Sequence, residues 1–437
     1  MTSEPALLGG PRLATKNYFF HSTDTGAEEL FALKEVIDSQ VLSGFTATPS
    51  DSFYGGVKVR QLEEEFSSIF GVKHAVSFNS ATSALHAAVA AAGVGPGDQV
   101  ITSPFTMSAT ASAILMQNGL PVFADIDENF FTISPASVRK ALRPQTRAII
   151  PVNLFGQPAD LFSLREIARE NGLVLIEDNA QAPLASINGH LAGTIGDMGV
   201  FSLNYHKAVQ CGEGGVVVTN HDDYHKRLCL VRNHGETSVA SMDMQSIANT
   251  MGWNYRMTEL QAAVASVQMK KLERLNAIRI ELASYLKSEL EAFDFLIPPR
   301  VRDGCEHTYY FFPVKYKKGI LSIHRNTFVR ALVEEGFPVG AGYVAPLYWQ
   351  SLYQNQIVYG NKGCPFQCRH VSEIPSYHKG LCPVAERMYQ EELMVFKLCK
   401  YPNDRGDIDL LIEAIQKIIY FQEALHRWEI SAAAGNM

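Results

Sequence analysis

One pattern dominates residues 74–219: short runs of apolar, often β-branched residues alternate with longer segments whose apolar positions recur at helical spacing. The short runs fall at 74–78, 100–102, 121–125, 148–153, 173–176, 198–203 and 216–219, and helical spacing fills 84–92, 106–118, 135–142 and 160–172. Strands joined through helices do not fold back as hairpins. The series therefore predicts an α/β fold, a mostly parallel central sheet flanked by helices. Such sheets bind ligands beyond the carboxyl ends of their strands. The run at 173–176 ends in Glu177-Asp178, so the informative polar residues should lie just past it.

They do concentrate there. Behind Asp178 come Gln181, a glycine-bearing segment at 185–197, Ser202 at the end of the next run, and Lys207 shortly before Gly212-Glu213-Gly214-Gly215. A lysine between two strands, beside glycines that let backbone come close, can be an amine nucleophile toward a carbonyl; it can equally be a solvated loop lysine. Upstream, the run at 74–78 passes through Asn79-Ser80-Ala81-Thr82-Ser83 into an alanine-rich helix. Free N–H groups at that helix start, beside the Ser80, Thr82 and Ser83 hydroxyls, suit a phosphate; the same residues also serve as plain N-caps. Neither a Walker loop nor Gly-x-Gly-x-x-Gly is present, so nucleoside triphosphate and dinucleotide readings lack support.

The flanks differ in character. Residues 1–45 read as an N-terminal arm with one helix at 26–39, capped from Thr23-Asp24-Thr25, and 46–290 as a large α/β domain. That domain ends in an amphipathic helix at 257–273 continuing toward residue 293; its stripe of Met257, Leu260, Ala263, Val264 and Val267 reads as core or dimer surface. Residues 291–437 form a smaller C-terminal α+β domain, with a strand at 309–316, a helix at 325–335 and a terminal helix at 407–425. Within it, 342–381 is a long aromatic segment (Tyr343, Tyr348, Trp349, Tyr353, Tyr359, Phe366, Tyr377), expected to cover a substrate.

At 437 residues the chain is too long for one ordinary core, and a net charge of −7 offers nucleic acid no basic surface. No apolar run is long enough to span a membrane and no signal sequence is visible, so the chain reads as cytoplasmic. Seven scattered cysteines fit reduced thiols. Cys364-x3-Cys368, with His370, His378 and Cys382 behind it, approaches a zinc pattern. Pro365-Phe366 inside the loop and a single close pair favour a thiol cluster with no metal.

Several strings occur in one order: residues 79–86, the Gly95-Pro96-Gly97-Asp98 turn, residues 151–160, Ile176-Glu177-Asp178-Asn179-Ala180-Gln181, Phe201-Ser202 to Lys207, Gly212-Glu213-Gly214-Gly215, Arg232-Asn233-His234-Gly235 and Asn254-Tyr255-Arg256-Met257. Together they resemble the DegT/DnrJ/StrS sugar aminotransferases, a branch of the fold-type-I pyridoxal-phosphate enzymes, closely over 59–256 and more loosely elsewhere. The resemblance implies that Lys207 forms the internal aldimine with pyridoxal 5'-phosphate and then moves a proton between substrate and cofactor carbons. It implies that Asp178 pairs with the pyridinium nitrogen, keeping the ring an electron sink. Gln181 would lie against the ring, and Ala81, Thr82 and Ser202 would hold the phosphate. Asn254 would reach the neighbouring subunit's phosphate, making a homodimer with shared active sites.

Three departures stand out. Met107 occupies the position of a stacking aromatic, with only Phe105 nearby. Ala81 replaces a usual glycine, and Asn204 a common histidine. Relatives with histidine in place of the lysine remove a hydroxyl instead of adding an amine; here His206 precedes an intact Lys207, which favours amination. The implied reaction moves an amino group from an amino acid such as glutamate to a keto-sugar, nucleotide-linked as the family implies, through two ping-pong half-reactions. The alternatives are a sugar 3-dehydratase, amination of a sugar phosphate or cyclitol, and a non-catalytic regulator.

Overall fold

The computed structural model describes residues 3–18, 24–244 and 246–434. Two helices, α1 (Ala27–Ser39) and α2 (Val57–Phe70), precede the alternation β1 (His74–Phe78), α3 (Ala81–Ala91), β2 (Gln99–Thr102), α4 (Ala109–Met116), β3 (Leu120–Phe123), α5 (Pro135–Ala141), β4 (Thr146–Ile150), α6 (Leu161–Asn171) and β5 (Val174–Asp178). A short hairpin, β6 (Ser186–Ile187) and β7 (His190–Leu191), follows, then β8 (Met198–Ser202), β9 (Gly215–Thr219) and α7 (Asp222–Arg232). The seven long strands form one sheet in the order β1-β9-β8-β5-β4-β2-β3. Its core is parallel, as the alternation predicts; only β9 runs antiparallel, to both β8 and β1.

Burial explains the composition of these runs. Every residue of β8 and β9 is buried, as strands covered on both faces require. Helix α3 faces them with Ala84, Ala87, Ala88, Ala90 and Ala91, side chains short enough for close helix–sheet contact. Glycine does the same inside β8: a Cβ on Gly199 would sit 1.9 Å from the Gly193 carbonyl oxygen.

Helix α8 runs unbroken from Glu259 to Leu290, 32 residues, and opens with a capping box between Thr258 and Gln261. Its first half buries Ala262, Ala265, Met269 and Leu272 with α2 and β9 residues; its last turns bury Leu282, Leu286 and Leu290 in a second core. That second core is built on an antiparallel sheet, β10 (Leu296–Ile297), β12 (Phe312–Tyr316), β14 (Leu393–Phe396) and β13 (Val339–Ala341), backed by α9 (Arg325–Glu334) and α12 (Arg405–Tyr420). Strand β11 (Cys305–Glu306) extends the β6–β7 hairpin.

Two expectations need correction, and two segments take on detail. The first helix is capped by Gly26, whose N–H donates to the Glu29 carboxylate at 2.8 Å; Thr23 lies outside the described residues, and Asp24 pairs with Arg274 instead. The segment 185–197 carries the small hairpin and buries Ile187 and Ala192. The terminal helix is two helices, α12 and α13 (Gln422–Ala434), separated at Phe421. The segment 342–381 turns most of its aromatic side chains inward. Tyr348, Tyr353, Phe366 and Tyr377 are buried against Phe123, and the Tyr377 hydroxyl donates to the Pro121 carbonyl. Short helices α10 (Ser351–Gln354) and α11 (Pro383–Arg387) bracket its second half.

Candidate active site

Asp178 ends β5, where the sheet opens. Its Oδ2 accepts from the Thr110 hydroxyl at 2.8 Å and its Oδ1 from the Ala180 N–H at 3.2 Å. Burial raises its pKa; those donors and the positive charge of Lys207 oppose the rise. Lys207 lies between β8 and β9, with Nζ 4.8 Å from the centre of the Tyr310 ring. Loss of hydration lowers its pKa to about 8, with Asp178 pulling the other way. Each group is thus perturbed by the other's charge.

Tyr343 lies near the same carboxylate and is tied to Gln181. Gln181 splits its amide: Oε1 accepts from the Phe155 N–H and Nε2 donates to the Tyr343 hydroxyl, both at 2.9 Å. The Tyr343 ring meets Phe155 and Phe105 edge-on at 5.0 and 5.9 Å, and burial pushes its hydroxyl up to about 12, with Asp178 adding to the rise. Phe155 has φ of 59° and Gly156 of 99°, a left-handed pair that turns the chain toward Tyr309 and Tyr310. Gly156 leaves no room for a side chain there, since a Cβ would lie 2.7 Å from the Tyr309 nitrogen.

The residues beneath Asp178 are held by a buried carboxylate. Glu177 accepts from the Gly193, Ile195 and Gly196 N–H groups at 2.5, 2.8 and 2.7 Å, and from Asn153 at 3.2 Å. Asn153 also donates to Asn179, which ties itself to the Ala192 carbonyl. Glu177 and Asn153 therefore anchor the strand ends that aim Asp178.

The helix start forms a separate corner. Ser80 caps α3 by accepting from the Ser83 N–H, while the Ser83 hydroxyl meets the Ser80 N–H at 3.2 Å. Ala81 and Thr82 occupy the first turn, whose N–H groups have no carbonyl four residues behind them. Ser202 is paired in register with Gly215, and Gly215 lies so near the helix that a Cβ on it would be 2.6 Å from the Ala81 nitrogen. The Ser202–Gly215 pair thus abuts the α3 start, whose first-turn amides and positive end favour an anion.

Two predicted residues stand apart. Met107 is 58% exposed just before α4, while Phe105 is fully buried. The Asn254 backbone lies beside the α3 start, where its carbonyl accepts from Asn79, but its exposed side chain accepts from Arg256 within this chain. Asn204 bonds Glu213 at 2.8 Å.

Sequence reasoning missed Thr110, Tyr310 and the buried Arg279, whose guanidinium reaches the Tyr310 carbonyl at 3.5 Å. Thr110 sits inside an apolar helix and Tyr310 in an aromatic run; only the polar residue in the former broke pattern. Among the described residues no cluster of three His, Cys, Asp or Glu side chains is placed to hold a metal.

The donor set suits pyridoxal 5'-phosphate: a buried carboxylate for a ring nitrogen, an amine that is largely desolvated, and an anion-binding helix start across a glycine contact.

A model of the DegT/DnrJ/EryC1/StrS aminotransferase family matches residues 40–391. A protein of Streptoalloteichus tenebrarius, provisionally named an L-glutamine:3-amino-2,3-dideoxy-scyllo-inosose aminotransferase, is 32% identical over 434 residues, covering 96% of this chain and 98% of that one. The UDP-N-acetyl-3-dehydro-α-D-glucosamine 3-aminotransferase of Acidithiobacillus ferrooxidans is 34% identical over 336 residues, 76% of this chain and 86% of its own. Among solved structures, DesI, crystallised in the presence of its TDP-sugar product, superposes with a TM-score of 0.81 at 24% identity, over 99% of both chains. That likeness shows the fold, the fold-type-I architecture.

Proposed function

Because the chain belongs to the DegT/DnrJ/EryC1/StrS aminotransferase family, we propose that it moves an amino group from an amino acid, glutamate in the first instance, onto a nucleotide-linked keto-sugar with pyridoxal 5'-phosphate as cofactor. The observation that carries this reading is the desolvated amine of Lys207 set against the buried carboxylate of Asp178.

When bound, the cofactor supplies a cationic ring that accepts the electrons left on carbon by proton removal. Asp178 would keep a proton on the ring nitrogen, and Thr110 orients that carboxylate. Lys207, with a pKa near 8, holds a substantial neutral fraction at physiological pH, so its Nζ can both add to a carbonyl and relay a proton. The Ala81 and Thr82 amides and the Ser202 hydroxyl would hold the phosphate. Gln181, fixed between Phe155 and Tyr343, would lie along the ring and exclude water from one side.

Residues 46–290 would then carry the cofactor, and 291–437 would add Tyr310 and Tyr343. The outward-facing Asn254 side chain supports completion of each site across a homodimer. A cyclitol acceptor is the second reading, favoured by the Streptoalloteichus relative.

The test combines substrate and variant. Purified protein loaded with pyridoxal 5'-phosphate is incubated with glutamate and a panel of nucleotide-linked keto-sugars and keto-cyclitols, and amino products are weighed by mass spectrometry. Product from one class, lost at least a thousandfold in Lys207→Ala, is expected. Undiminished turnover in that variant would defeat the assignment.

A further inference from the structure

The aminotransferase reading leaves Cys364-x3-Cys368 unused. The pair lies on a tight turn within 359–371, closed by Gln367 N–H donating to the Gly363 carbonyl at 2.9 Å and Cys368 N–H to Pro365 at 3.3 Å. A bridge joins Tyr359 to Cys364 across the turn. Its centre is nailed down by Phe366, which is fully buried against Tyr377, and its base by the Tyr359 hydroxyl, which donates to Leu115 at 3.1 Å.

On that frame the Cys368 and Cys364 sulfurs sit 3.0 Å apart, the Cys368 thiol donating. This is about 1 Å more than a sulfur–sulfur bond. Both thiols are partly exposed, whereas Cys211, Cys229, Cys382 and Cys399 are buried.

We propose that Cys364 and Cys368 form a reversible disulfide-forming site, one that exchanges with small-molecule disulfides. Cys364, acceptor of the thiol hydrogen bond, gives up its proton to solvent and its sulfur attacks one sulfur of oxidised glutathione; that bond breaks and one glutathione thiolate leaves. Cys368 then attacks Cys364 in the mixed disulfide, forming the Cys364–Cys368 bond and expelling the second glutathione. Two protein thiols lose two electrons and two protons, and the glutathione disulfide takes them up.

The full chain, reduced and desalted, is treated with oxidised glutathione; remaining thiols are then alkylated and the peptides weighed. The expected result is a peptide spanning 364–368 that is two hydrogens lighter, unalkylated, and restored by reductant. Cys364→Ser and Cys368→Ser should each leave a glutathione adduct or an alkylated thiol, whereas Cys305→Ser should match the parent. Alkylation of both thiols in the treated parent, or a persistent glutathione adduct there, would overturn the proposal. The readout needs no cofactor, substrate or turnover, so it fails or succeeds independently of the proposed function.

Discussion

A single methyl or hydroxyl decides much at Asp178. Thr110 supplies its shortest neutral donor, and Thr110→Val replaces that hydroxyl with a methyl of the same shape. A buried acceptor stripped of its donor costs about 1–3 kcal/mol. The expected outcome is weaker pyridoxal-phosphate binding by roughly tenfold or more, read by equilibrium dialysis; an unchanged dissociation constant would show that Asp178 does not depend on Thr110. Lys207 makes a pH prediction of definite sign. Its folded pKa, about 8, lies below the ordinary lysine value, so the neutral amine accumulates across that pH. The rate of cofactor loading should rise from pH 7 to 9 and then level off, measured by stopped-flow absorbance. A rate still climbing toward the ordinary lysine range, about 10.4, would mean the amine is not desolvated. The same depression means the unfolded chain binds the extra proton between those two pKa values. Lys207 therefore costs stability at neutral pH, and the cost is relieved as pH rises through that window.

Elements place these groups through close backbone contacts. Gly215→Ala would thrust a methyl 2.6 Å from the Ala81 nitrogen and the Ser80 carbonyl, backbone atoms that cannot swing aside. Overpacking of this kind costs about 1–3 kcal/mol. It should move the α3 start away from Ser202, weakening inorganic phosphate and cofactor binding while leaving a folded protein. Calorimetric titration with both ligands checks it; parent-like affinity would remove Ala81 from the anion site. Much of this was legible in the sequence. The runs at 74–78, 173–176, 198–203 and 216–219 lie within two residues of observed strands because strands covered on both faces must be continuously apolar. Helix α3 begins at Ala81 and not Ala84, since small capping residues also complete the first turn. The two-residue strands of the β6–β7 hairpin carry no periodicity to read. Tyr310 escaped notice because its role depends on a left-handed turn at Phe155 and Gly156, more than 150 residues upstream. The inward turn of Tyr348, Tyr353, Phe366 and Tyr377 was equally hidden. An aromatic-rich segment reads the same whether it covers a ligand or covers Phe123.

At the scale of the molecule, stability should depend on acid in a directed way. His307 is buried, stacked on Tyr309, and its Nδ1 accepts from the Tyr309 N–H; burial lowers its pKa to about 3. Buried His86, lowered to about 4 by the same cause, meets Tyr255 and Gln117. Both must fold neutral. Below the ordinary value of about 6.5 the unfolded chain takes up protons these rings refuse, and each unit of depression is worth about 1.4 kcal/mol. Thermal midpoints should therefore fall steadily from pH 6.5 toward pH 4, as followed by circular dichroism. A His307→Gln variant that folds should show a shallower decline; a decline as steep as the parent's would acquit this ring.

Helix α8 sets a limit on how the molecule can work. A rod of 32 residues, about 48 Å long, is sunk at one end beside the Lys207 strands and at the other beneath the antiparallel sheet. Neither glycine nor proline interrupts the run, so it has no built-in hinge. The two cores are accordingly fastened to one strut, and any displacement of one relative to the other must bend that strut along its length.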